Sequence, residues 1–328
     1  MGDGGMPSGL TKLTAWRAAV RRVRAAYIKA HGRAPDLVRP RRFSEKMQWR
    51  KLFDLDPRYA IFCDKLATRR FIADRLGEAV LPPLLWSGAP DEIPFDRLAP
   101  PYVLKSTHGS GHVVMVTADD VADREAMRAQ GGSWLGRDHG AEYDEPGYSA
   151  VPRLLLVERA VTGPAGERPT EVRFFLFDGE IAVINTVFIE DGRVRNGAFH
   201  RPDWTRLDWH FTRFVDRPFP PPHHFKEMAR MARLLGAGFD HIRIDFYDGG
   251  ERFWVGEMTL YSWSGHVTFN PDEADFALGD AWRLRRPFRR AAMTVLRQAP
   301  GILTGHVPGN GSGGAPSIAS GTTLRALR

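Results

Sequence analysis

Two stretches, "EVRFFLFDGEIAVINTVF" (171–188) and "HIRIDFYDGGERFWVGEM" (241–258), most restrict what this chain can become. Each is an apolar or alternating run broken by an Asp-Gly turn, which is the signature of antiparallel strands joined by tight hairpins. In the second, Ile242, Ile244 and Phe246 face one way while Arg243 and Asp245 face the other, because side chains alternate along a strand. Glu257 and Thr259 share a face on the return strand. A three-residue loop around Gly249–Gly250 puts Glu257 beside Arg243 and Asp245, and another loop length turns it away. In the first register an arginine and two carboxylates converge, a hard-oxygen set suited to Mg²⁺ bridging phosphates. A surface Arg–carboxylate network is the plain alternative.

The rest of the chain alternates with helices. "FSEKMQWRKLF" and "DKLATRRFIADRLG" read as helices separated by a turn at Pro57, with Ser44 and Asp64 as N-caps and Gly77 as a C-cap. Further helices are expected at 119–130 and 225–236. A third hairpin, "YVLKSTHGSGHVVMV" (102–116), carries Lys105 at a strand end, then His108, Gly109, Ser110, Gly111 and His112 in the turn. Freed backbone N–H groups beside a lysine can wrap phosphate oxygens, although the spacing is neither a P-loop nor a dinucleotide fingerprint. Lys65 falls in the first turn of its helix, where the dipole disfavours a cation unless an anion binds there or its ammonium swings into water. Glu158 ends the apolar run "LLLVERAV", a strand edge able to bind an adenine. This mixture predicts an α+β layered protein with mixed and largely antiparallel sheets.

Charge divides the chain. Residues 11–42 hold ten Lys/Arg against one acid and residues 281–328 hold eight and none, although the whole chain is only +7. The middle is therefore acidic, unlike a nucleic-acid reader with basic charge across its folded face. Leu13, Trp16, Val20, Val23 and Tyr27 form one stripe of a basic amphipathic helix ended by Gly32 and Pro35, which either packs on its own domain or docks on an anionic membrane. One cysteine, Cys63, gives no internal disulfide framework and suits a reducing cytoplasm, and no run is long enough to span a bilayer. The organisation expected is a basic segment 1–42, a catalytic body 43–280 with a glycine-lid subdomain at about 103–160, and a basic, low-complexity tail 281–328.

In order, the helix-start lysine, the strand lysine with its glycine turn, the strand-edge glutamate and the Arg/Asp/Glu hairpin resemble the ATP-grasp superfamily. More narrowly, "RRFSEKMQWRKLFDLDPRYAIFCDKLATRRFI", "YVLKSTHGSGHVVMV", "EVRFFLFDGE" and "RIDFYDGGERFWVGEMTLYSWSGHVTFNP" look like its TupA-like branch, associated with teichuronopeptide and cell-surface polysaccharide biosynthesis. The resemblance implies an ATP-grasp fold whose small lid clamps ATP. It implies ATP-phosphate contacts from Lys65 and Lys105, a lid at His108–His112, and an adenine hinge at Glu158 with the backbone of Val161. It further implies a ribose carboxylate at Glu171, phosphate contacts from Arg173 and Arg243, and Mg²⁺ ligands at Asp245 and Glu257. Thr259 stands where much of the wider superfamily has asparagine. The implied activity is an ADP-forming carboxylate–amine ligase working through an acylphosphate, with a uronic-acid glycan and an amino acid as substrates, in the cytoplasm or at the inner membrane face. The rivals are a glycosyltransferase using "DLD" (Asp54–Asp56) and a non-catalytic ATP-binding adaptor.

Overall fold

The computed structural model describes residues 9–117, 123–163, 166–190, 193–211 and 214–284. The helices are α1 (Gly9–His31), α2 (Phe43–Phe53), α3 (Tyr59–Cys63), α4 (Lys65–Leu76), α5 (Arg124–Leu135), α6 (His139–Tyr143), α7 (Pro146–Ser149), α8 (Phe225–Gly236) and α9 (Glu273–Ala281). The strands are β1 (Leu84–Gly88), β2 (Tyr102–Ser106), β3 (Val113–Val116), β4 (Leu155–Arg159), β5 (Thr170–Phe177), β6 (Glu180–Glu190), β7 (Arg193–His200), β8 (Arg206–Leu207), β9 (His210–Phe211), β10 (His241–Asp248), β11 (Phe253–Thr259) and β12 (Phe269–Asn270).

A six-stranded sheet ordered β11-β10-β5-β6-β7-β8 forms the body, and a four-stranded sheet ordered β1-β4-β2-β3 forms the lid unit; β12 and β9 make a third, small pair. The expected mixed sheets are not seen among the described residues. Every strand ladder there is antiparallel, and the parallel contact is an isolated bridge between Asn196 and Phe214. Short connections account for the β2–β3, β5–β6, β6–β7, β7–β8 and β10–β11 pairs, whereas β1–β4, β2–β4, β5–β10 and β9–β12 are antiparallel across longer connections.

Alternation builds the body. Phe174, Ile242, Ile244 and Phe246 are fully buried and share a core with Met228, Ala232 and Leu235 of α8. That leaves the odd-numbered residues of β5 and β10 on the opposite face. A second core joins Tyr102, Leu104, Leu155 and Val157 of the lid sheet to Met127 and Trp134 of α5. The lid sheet includes β1, so its unit begins near residue 84 rather than 103.

The helix ends show where local signals were displaced. Asp64 caps α4 by accepting from the Leu66 N–H at 2.9 Å, and Gly77 ends it at φ +82°. Ser44, however, lies inside α2. Its hydroxyl donates to Asp275 at 2.6 Å and lies 2.9 Å from the Tyr27 hydroxyl. The α2 N-terminus is capped instead by Glu45, whose carboxylate accepts from the Arg41 and Arg42 N–H groups at 3.0 and 3.1 Å, the reach-back half of a capping box. Helix α5 starts at Arg124, capped by Asp123, and runs past the expected end at 130. Gly131 does not stop it because it lets the helix approach β4: a Cβ there would sit 2.5 Å from Leu155 Cδ1. Residues 118–122 lie outside the described set.

The basic helix α1 packs on its own protein. Val20, Val23 and Tyr27 are buried, the first two with Leu37, Trp49, Leu52 and Phe53; the side chain of Leu13 is outside the described set. At the other end, Trp282 is fully buried and its indole N–H donates to Asp240 at 2.8 Å, so the packed body continues past residue 280. Residues 285–328 lie outside the described set. Asp240 also accepts from the fully buried Arg50 at 2.6 Å, and Arg50 donates to the carbonyls of Leu260 and His241. Such a buried guanidinium is tolerable because Asp240 matches its charge and three acceptors take its two terminal nitrogens. It ties α2 to both ends of the β10–β11 hairpin.

Candidate active site

The site lies between the lid sheet and the odd-numbered face of the body sheet. On the hairpin side the register pairs Asp245 with Glu257 and Arg243 with Thr259, so all four share a face. The loop is not the three-residue one. Asp248 pairs with Phe253, leaving four residues between, and a bulge at Gly256 restores the parity. A Cβ at Gly256 would meet the Tyr247 ring at 2.8 Å, so the bulge needs glycine. Next door, Arg173 pairs with Asp245 and Glu171 with Tyr247, which brings β5 residues onto the same face.

Arg243 grips Asp245 through two bonds of 2.7 and 2.6 Å, donates to Thr259 at 3.1 Å and lies 4.0 Å from Glu257. Burial works against the Arg243 charge, but Asp245 outweighs it and its pKa is raised. Arg173 donates to Glu171 at 2.9 and 2.5 Å and lies 3.8 Å from Asp245.

The lid side is organised around one acid. Glu158, on the same lid-sheet face as Lys105, receives Lys105 at 2.5 Å and Arg69 at 2.5 Å. Burial would raise its pKa, yet these two cations hold it below the ordinary carboxylate value. Burial likewise opposes the Lys105 charge, and Glu158 overrides it, so the Lys105 pKa is raised. Lys65, at the first position of α4, donates its ammonium to the Gly109 carbonyl at 2.5 Å. Desolvation lowers its pKa, with Lys105 adding repulsion that Glu257 and Glu158 oppose. A desolvated ammonium at a helix N-terminus beside a second lysine is a seat for a multivalent anion.

One cavity brings together Lys65, Lys105, Gly109, Ser110, Gly111, Glu158 and Glu257. Arg243, Asp245, Arg173 and Glu171 lie on the sheet face that carries Glu257 but do not line it, and Val161 lies two residues past β4 without lining it. The histidines of the implied lid are buried rather than exposed in the turn. His108 is buried and bonds through Nε2 to the Trp134 and Arg137 carbonyls at 3.1 and 3.3 Å. His112 stacks on Trp134 and meets Ser106 at 2.9 Å. Both brace the lid against α5 rather than face the cavity. Two residues were missed: Arg69, one turn after Lys65 on the same helix face, and Tyr247, two after Asp245 on the same strand face. Their periodic spacing was the available signal.

Other readings weaken here. Asp54 is buried and accepts from Tyr59, while Asp56 pairs with Arg58 at 2.7 Å, so the two carboxylates of "DLD" are already engaged. Burial raises the Cys63 thiol pKa well above its usual value, which suits packing rather than nucleophilic work. Among the described residues no group of three or more His, Cys, Asp or Glu could hold a metal. Asp245 and Glu257 are a cross-strand pair of hard oxygen donors, a set that fits Mg²⁺ when phosphate oxygens and water complete the shell.

Residues 45–283 match the model of the TupA-like ATPgrasp family. The chain belongs to that family. Its fold is the ATP-grasp fold, α+β with antiparallel sheets. Similar solved structures include the D-alanine–D-alanine ligase from Bacillus anthracis complexed with ATP (15% identity, TM-score 0.40, covering 73% of this chain and 68% of that one). Another is the ATP-grasp ligase PsnB complexed with a phosphomimetic precursor, Mg and ADP (13%, 0.37, 73% and 60%). A third is the N5-carboxyaminoimidazole ribonucleotide synthetase from Thermus thermophilus (15%, 0.34, 61% and 45%). This chain thus spans about three fifths of the PsnB chain. The comparison with curated proteins gives no match. No helix among the described residues is long and apolar enough to cross a membrane.

Proposed function

We propose that the protein is an ATP-dependent carboxylate–amine ligase. The observation that carries this reading is the meeting of Lys65 and Lys105 with Glu257 in one cavity, on the sheet face that also holds Asp245, Arg243 and Arg173. Lys65 and Lys105 hold the nucleotide phosphates, Gly109–Gly111 cover them, and the strand edge at Glu158 and Val161 takes the adenine, with Glu171 toward the ribose. Arg243 and Arg173 meet the transferred phosphoryl group. Asp245 and Glu257 would hold Mg²⁺, which when bound neutralises phosphate charge.

A substrate carboxylate oxygen attacks the γ-phosphorus and ADP leaves, giving an acylphosphate. An amine then attacks the acyl carbon, phosphate leaves, and the amine proton is lost as the amide forms. The chain supplies orientation, positive charge and water exclusion rather than a covalent nucleophile. From the TupA-like resemblance alone we further propose a place in cell-surface polysaccharide biosynthesis, with a uronic-acid glycan and an amino acid as substrates, in the cytoplasm or at an anionic membrane face. The basic face of α1 would make the membrane contact, since its apolar stripe is already packed inward.

The test is a thermal-shift and turnover assay. With Mg²⁺, ATP should raise the melting temperature and UDP-sugars should not, and a carboxylate with an amine should yield ADP and a new adduct mass. The opposite ligand preference would favour the glycosyltransferase reading, and AMP release would point to adenylation. Tight ATP binding with no turnover on any pair would favour the adaptor.

A further inference from the structure

We infer that Trp263 is a positioning residue for the two phosphate-facing arginines. Trp263 and Ser264 lie in consecutive left-handed conformations, at φ +47° and +59°. L-residues other than glycine adopt this region at a cost, so such a pair persists only where its surroundings over-determine it. They do so here. Gln48 Nε2 donates to the Ser264 carbonyl at 2.9 Å, Lys51 donates to its hydroxyl at 2.5 Å, and His31 Nε2 lies 2.9 Å from the Gly265 carbonyl. Gly265 is itself left-handed, and a Cβ there would sit 2.4 Å from Gln48 Nε2.

The pinned turn delivers the indole to one place. The Arg243 guanidinium carbon lies 4.9 Å from its ring centroid and that of Arg173 lies 5.7 Å away, both within cation–π range. Phe175 stacks at 5.7 Å and Phe211 meets it edge-on at 4.8 Å, which fix the ring plane. The aromatic contact is independent of Asp245. Were Asp245 to turn from Arg243 toward a metal ion, the guanidinium would keep the indole and the Thr259 hydroxyl as partners, and the indole cannot compete for phosphate. Trp263 thus limits where both arginines go on substrate binding.

What the arginines touch rests on the ligase reading, so the test has two arms. In nucleotide-free protein, indole ring currents should move side-chain Nε–H signals of Arg173 and Arg243 upfield, with assignment by R173K and R243K. W263L should abolish that shift while backbone amide signals elsewhere persist, and W263F should keep part of it. Unmoved arginine signals in W263L overturn the inference whatever the protein binds. In the second arm, calorimetry with MgADP and with Mg and a nonhydrolysable ATP analogue should show W263L weakening the triphosphate analogue roughly five- to tenfold more than ADP, with W263F near wild type. Equal weakening of both would mean a general structural role and would overturn it. Wild-type protein that binds neither nucleotide, with the ring-current shift present, would sink the ligase reading and leave the positioning intact.

Discussion

On one wall, Lys105 of the lid sheet and Arg69 of α4 converge on the single carboxylate of Glu158, whereas on the hairpin wall Arg243 and Arg173 are matched by Asp245 and Glu171, with the Glu257 side chain 41% exposed beside them. That wall therefore carries surplus positive charge, two cations against one carboxylate. The hairpin wall holds its acids and arginines against each other, so Asp245 must exchange partners before it can ligate a metal. On the proposed reading both walls exchange partners, Lys65 leaving the Gly109 carbonyl and Asp245 leaving Arg243.

Three substitutions can break that contrast. Asp245→Asn and Glu257→Gln should each lower MgATP turnover by at least about a hundredfold, because both remove hard charge from the site of phosphoryl transfer. Melting curves should stay close to wild type for Glu257→Gln, and wild-type turnover in both would remove the metal assignment. Glu158→Gln should act mainly on stability. It leaves two half-buried cations facing each other without their acid, at a cost of about 2 kcal/mol after screening by water. Urea unfolding at neutral pH measures it, and a loss below about 1 kcal/mol would mean that water already screens the cluster.

A smaller effect concerns the lid histidines. Burial lowers both His112 and His139 to a pKa of about 4, against roughly 6.5 when unfolded. As pH falls, the unfolded chain takes protons first, so this contribution is complete above pH 6.5 and is lost progressively toward pH 4. The double variant H112Q/H139Q should flatten stability against pH across that window, measured by chemical denaturation. An unchanged slope would show that the histidines are hydrated. Smallest of all, Tyr27→Phe should cost about 1 kcal/mol through the bond to Ser44 that anchors α1.

The sequence made the hairpins and the acid–arginine face legible because period-two alternation survives wherever one sheet face is buried. Helix α8 was read at its observed ends for the corresponding reason: a strong apolar stripe bounded by turns. Three features were hidden. The Gly256 bulge could not be told from a simple change of loop length, since both restore the same parity. The α2 cap went to Glu45 because tertiary contacts with Tyr27 and Asp275 claimed Ser44. The burial of the glycine-turn histidines was hidden because the helix expected at 119–130 runs on to Leu135, and Trp134 in that extension covers them. Arg69 shows the remaining gap: its partner Glu158 is 89 residues away.

The central claim is that Lys65 from α4, Lys105 from the lid sheet, and Asp245 and Glu257 from the hairpin meet around one triphosphate. A crystal structure with Mg²⁺ and a nonhydrolysable ATP analogue tests it directly. The account predicts both lysine ammonium groups on phosphate oxygens, Asp245 released from Arg243, and a metal ion between Asp245, Glu257 and the phosphates. A nucleotide bound elsewhere, or one bound in the cleft with Lys65 still on the Gly109 carbonyl and Asp245 still on Arg243, would contradict it.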